Sequence, residues 1–149
     1  MWDDKKSLFL SKVFLFLFIS GLIGVIVTAP WLTRWFLDFS RAELKGTRPF
    51  FLATIYGGAI PAGILLYNLL GLLKRIEKEQ VFIAKNVDCL RRISWSCFAG
   101  ALIAIISTFY YFPWIFVAIA AAFMGLIVRI VKNVLAKAVE LKDEVDYTV

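Results

Sequence analysis

The densest run of residues able to recognise another molecule lies between Leu69 and Ile93, where Lys74, Arg75, Glu77, Lys78, Glu79, Lys85, Asp88, Arg91 and Arg92 stand among aliphatic residues. Six of these nine charges are basic. The chemistry they offer is binding: beside a bilayer, each Lys or Arg contributes on the order of 1 kcal/mol toward anionic headgroups. Leu69, Leu73, Ile76, Gln80, Ile83, Val87 and Leu90 recur at alternating steps of four and three, which places them on one face of a helix. Gln80 interrupts that stripe, so the segment is either one amphipathic helix or two shorter ones. Its charges serve either as anchors for two flanking spans or as the rim of a docking face. The candidate partner-binding residues are Ile76, Phe82, Ile83, Asn86, Val87, Leu90, Arg91 and Arg92.

Catalytic chemistry finds no comparable set. The chain has no histidine, so no serine or cysteine has an imidazole base, and no Gly-rich phosphate loop follows a strand pattern. Every Asp and Glu lies outside the apolar cores described below, which argues against a proton pump or an ion-coupled transporter. Cys89 and Cys97 lie away from any carboxylate cluster and are expected to stay reduced, and no metal, haem or other cofactor is expected. The reading is of a protein that is not an enzyme.

The elements that must position the basic segment are membrane spans. Of the 149 residues 61% are hydrophobic, 16% aromatic and only 19% charged, outside the range of soluble domains. We expect an all-α, polytopic membrane protein, a single domain over residues 1–149. Its four-transmembrane-helix bundle has spans near 8–32, 49–73, 93–111 and 114–134, an amphipathic segment over 74–92 and an acidic tail over 135–149. About 20 apolar residues cross a hydrocarbon core of roughly 30 Å. Gly58 with Ala62, Ala59 with Gly63, Gly100 with Ala104, Ala118 with Ala122 and Ala121 with Gly125 are small pairs that permit close helix approach, and Pro61 is expected to loosen the second span.

Between the first two spans, Trp31, Trp35, Phe36 and Phe39 share a face opposite Arg34, Asp38, Arg41 and Lys45, which predicts a short helix over 31–45 in the outer interface. It acts as an aromatic anchor or as a site for an external ligand or peptide. Thr54, Tyr56, Tyr67 and Asn68 bond between helices or line a polar seam. Tyr110 to Trp114 carries no charge and reads as a tight hairpin in the outer aromatic belt.

Orientation follows from the basic residues. Thirteen of the 17 Lys and Arg fall at the N-terminus, in the central segment and after Val128, against four in the first outer loop and none in the second. The positive-inside rule then places both termini in the cytoplasm. The net charge of +6 is thereby assigned to topology, and no direct nucleic-acid contact is expected. The tail acids Glu140, Asp143, Glu144 and Asp146 either remain solvated or fold back on the basic segment.

Phe82, Asn86, Leu90, Arg91 and Ile93, with the ending Glu144, Asp146, Thr148 and Val149, resemble a family of small bacterial four-span membrane proteins of unknown function. In that family a Gly usually precedes the Phe and a Ser or Thr follows it; here Glu79, Gln80 and Ile83 stand in those places. Genes for such proteins are often found beside a short helix-turn-helix regulator. The resemblance therefore implies an inner-membrane sensor or regulator that holds a cytoplasmic DNA-binding partner. The alternatives are a small channel or transporter built as a homo-oligomer around the second span, and an immunity protein that meets a membrane-active peptide with the Trp31 to Phe39 face. Membrane lipids are expected partners in every case.

Overall fold

The computed structural model describes residues 4–39 and 46–148. Four helices follow one another: α1 (Asp4–Phe39), α2 (Arg48–Glu77), α3 (Ala84–Ser107) and α4 (Trp114–Thr148). All four are long and apolar enough to cross a membrane. The chain is a multi-pass membrane protein. Its surface fits that solvent, since Phe14, Phe16, Leu17 and Phe18 of α1 and Phe116, Ile119 and Phe123 of α4 lie largely exposed and hydrocarbon solvates such faces without a protein partner.

The helices pack in chain order, α1 on α2, α2 on α3 and α3 on α4, and among the described residues no backbone of α1 approaches α4. The bundle is thus an open row, with α3 the most enclosed span. α3 is also the least apolar of the four. Its buried serines are matched to neighbours: Ser94 donates to the Gly125 carbonyl at 3.1 Å, and Ser107 lies 2.7 Å from the Thr54 hydroxyl. Thr54 also meets the Tyr110 hydroxyl at 2.5 Å, so this polar set ties α2 to the end of α3 and does not form an open seam.

Both α1 and α2 run on through an internal proline, Pro30 and Pro61. Pro30 has no N–H for the Ile26 carbonyl four residues earlier, and Tyr56 of α2 approaches that freed carbonyl with a long hydroxyl contact of 3.4 Å. Thr28 and Thr33, on either side of the proline, return their hydroxyls to the Gly24 and Ala29 carbonyls, each at 2.6 Å, back-bonds of the kind that bend a helix. α1 nevertheless runs unbroken through Pro30 to Phe39. The expected separate helix over 31–45 is, as far as Phe39, the last turns of α1, and residues 40–45 lie outside the described residues, as does Val149.

Of the expected small-residue contacts one is tight. A Cβ at Gly125 would stand 2.9 Å from a Phe98 ring carbon and 3.2 Å from the Cys97 Cβ, whereas Gly58, Gly63 and Gly100 face open space. α4 continues as one helix through the tail, so the acids extend its axis and do not turn back through a loop.

Lys12 of α1 pairs with Glu77 of α2 at 2.5 Å, which brings the start of α1 to the turn between α2 and α3. The start of α1, the end of α4 and that turn share one end, here called the basic end. The end of α1, the start of α2 and the 108–113 hairpin form the aromatic end.

Candidate functional site

The expected stripe over 69–90 is broken, and the break is built by local backbone chemistry. α2 ends in a Schellman motif: the Gln80 amide donates to the Arg75 carbonyl at 2.9 Å and the Glu79 amide to the Ile76 carbonyl at 3.0 Å. Glu79 takes the left-handed position with φ 63°, which glycine usually fills. The chain then extends to Ile83, whose φ of −127° and ψ of 149° suit an N-cap, although its side chain has no oxygen to accept an amide.

Asn86 braces the turn from the α3 side. It is fully buried, and its Nδ2 donates to the Gln80 carbonyl at 2.7 Å and the Val81 carbonyl at 2.8 Å. Its Oδ1 accepts from Arg75 Nε at 2.6 Å, so one amide side chain holds the last turn of α2, the connecting segment and the first turn of α3. The other branch of Arg75 reaches the Cys89 sulfur at 2.5 Å, and Cys89 makes a long thiol contact of 3.8 Å to Asn68 Oδ1. Beside this knot a cavity of about 540 Å³ opens between α2 and α3, with Lys74, Arg75, Lys85 and Arg92 on its walls.

The candidate residues divide accordingly. Asn86, Val87 and Leu90 are buried, so they shape the turn from within and cannot themselves be a docking face. Phe82 is 49% exposed on the turn, Arg91 and Arg92 are exposed, and Ile76 and Ile83 are half-buried. The reason for the split is the break itself: with the helix interrupted after Glu77, the positions before and after Gln80 no longer share a face. Arg75, Cys89 and Asn68 were not legible as a group, because each alone reads as a surface cation, a small hydrophobe or a helix polar residue. The signal that could have found them is Asn86, a polar side chain within the apolar turn of an amphipathic helix.

At the aromatic end, Trp31, Trp35 and Phe39 are exposed, and Trp35 stacks on Phe39 with ring centres 5.5 Å apart. Phe36 instead turns inward to Phe51 and Tyr111, each at 5.6 Å. Phe51, 5% exposed, is the hub of this cluster, with Tyr110 at 4.8 Å and Trp114 at 6.3 Å. An apolar cavity of about 430 Å³ lies beside it.

Residues 32–149 match the family described as Protein of unknown function (DUF2975). The chain belongs to that family. The match takes in the whole α2–α3 turn, the knot under it and the tail of α4. No curated protein and no solved structure matches the chain. Membership of the DUF2975 family thus assigns no activity, and the functional argument rests on the site.

Proposed function

We propose that this DUF2975 protein is a non-enzymatic regulator or sensor of the bacterial cytoplasmic membrane. In this reading both termini and the basic end face the cytoplasm, and that end holds a partner such as a small helix-turn-helix regulator. The observation that carries it is the turn itself. Phe82 stands about half exposed on a polar connection fixed from beneath by a fully buried Asn86, with Lys78, Glu79 and Gln80 exposed around it and Arg91 on the next turn of α3. A rigid aromatic anchor ringed by charge is the arrangement that interface hot spots use. The uneven Lys and Arg count supports the orientation.

Affinity purification from native membranes in mild detergent, with mass spectrometry of what remains bound, tests this reading. The expected result is a small DNA-binding protein, recovered with wild type and lost with Phe82→Ala and with Arg91→Glu, while both variants insert and elute normally. Recovery that is unchanged in both variants overturns the docking face. A second reading, a homo-oligomer acting as a channel, draws on the open faces of Gly58 and Gly63 on α2. Its mark is a symmetric oligomer without a partner that conducts ions in liposomes.

A further inference from the structure

We infer that the cavity between α2 and α3 at the basic end binds a phosphate-bearing anion, in the chemical class shared by acidic phospholipid headgroups and free phosphate. The inference is independent of the partner reading above. Its volume of about 540 Å³ is within the range of small-ligand sites. Four cations, Lys74, Arg75, Lys85 and Arg92, line it against one carboxylate, Asp88. Asp88 is already committed to Arg91 at 3.3 Å. Among the described residues none of the four lining cations has a carboxylate partner, although Lys12 and Lys137 elsewhere in the chain do.

Arg75 gives the site its geometry. The carboxamide of Asn86 and the sulfur of Cys89 hold its guanidinium through Nε and one terminal nitrogen, both neutral acceptors that fix the plane without neutralising the charge. The group lies over Gly71, where a Cβ would stand 3.5 Å from a terminal nitrogen. A half-buried guanidinium with its orientation fixed and its charge unmatched is arranged for an anion with several oxygens, and planar N–H forks suit phosphate. Tyr67 and Leu70 continue the wall toward the apolar part of α2, so a lipid in the site would have its headgroup among the cations and its glycerol side against apolar surface.

The experiment uses the full chain in nanodiscs of neutral dioleoyl phosphatidylcholine, with dioleoyl phosphatidylglycerol and inorganic phosphate as separate probes. Binding is read by native mass spectrometry for the lipid and by calorimetry for phosphate. The test variant is Lys74→Gln, Lys85→Gln, Arg92→Gln, three exposed side chains outside the knot; the charge-matched control is Lys5→Gln, Lys137→Gln, Lys142→Gln, three exposed side chains outside the cavity. The expected result is preferential retention of phosphatidylglycerol over phosphatidylcholine that falls roughly 10–100-fold in the triple variant and is kept in the control. Saturable phosphate binding that is lost in the triple variant supports the same site with a soluble source. Equal affinity of wild type and triple variant for both probes, or an equal loss in the control, overturns the inference. Should the triple variant fail to fold, Lys85→Gln and Arg92→Gln singly decide it, with a drop of about fivefold expected from each and no drop overturning it.

Discussion

Replacing Asn86 by alanine tests whether the turn is held from beneath as described. The substitution removes three hydrogen bonds: one accepted from the charged Arg75 and two donated to the carbonyls of Gln80 and Val81. A hydrogen bond to a charged group contributes about 1.5–3 kcal/mol and a neutral one about 0.5–1.5. Water can reach the Gln80 carbonyl, whose residue is exposed, so each neutral bond counts at about 0.5 kcal/mol, and the expected loss is about 2.5–4 kcal/mol. That is a large part of the roughly 5–15 kcal/mol that separates folded from unfolded chains. At about 2–4 °C per kcal/mol for a chain of this length, the midpoint of thermal unfolding in detergent should fall by roughly 5–16 °C. Amide exchange should rise first at the start of α3.

Asn68 is the internal control. It is also buried, at 6% exposure, but its Nδ2 returns to the Ile64 carbonyl of its own helix at 2.8 Å, and its link to α3 is the long 3.8 Å contact from the Cys89 thiol. Asn68→Ala should therefore cost about 1 kcal/mol. Asn86→Asp separates the two halves of the knot, since it keeps an acceptor for Arg75 and loses both donors to the carbonyls. It should fall between wild type and alanine. A loss below about 1 kcal/mol for Asn86→Ala, or equal losses for the two asparagines, would refute the claim that Asn86 organises the turn.

Two further substitutions probe backbone and packing. Glu79→Gly should raise stability by about 0.5–1 kcal/mol, seen as a higher unfolding midpoint, because φ 63° costs a non-glycine residue more than glycine loses in chain entropy; a lower midpoint would mean that the Glu79 side chain has a stabilising role of its own. Gly125→Ala should destabilise by about 1–3 kcal/mol through overlap with Phe98 and Cys97, while Gly58→Ala, facing open space, should be neutral or slightly stabilising in the monomer. A loss at Gly58 as large as at Gly125, appearing only at protein concentrations where oligomers form, would locate a subunit contact on α2.

How far the sequence carried the fold depends on what each kind of residue encodes. Four helices apolar enough to span were legible because transfer to hydrocarbon is a sum over some 20 residues, and local irregularities average out. The ends were less legible. The first span was expected to end near residue 32, yet α1 runs through Pro30 to Phe39, with Tyr56 approaching the carbonyl that the proline frees. The apolar stripe through Gln80 read as one helix or two, since Glu79 is not the residue that usually marks a left-handed cap, and the Schellman bonds that decide between them are backbone bonds common to any side chain. The residues of the family-like pattern divide by burial: Asn86, Leu90 and Ile93 are buried and set the shape of the turn, while Phe82 and Arg91 are what that shape displays. A period-based reading gives these five one role, because it places side chains around an axis and has no term for a turn. The knot of Arg75, Asn86 and Cys89 escapes it for the same reason. Its members are 11 and 14 residues apart across a reversal of the chain, and only the reversal makes them neighbours.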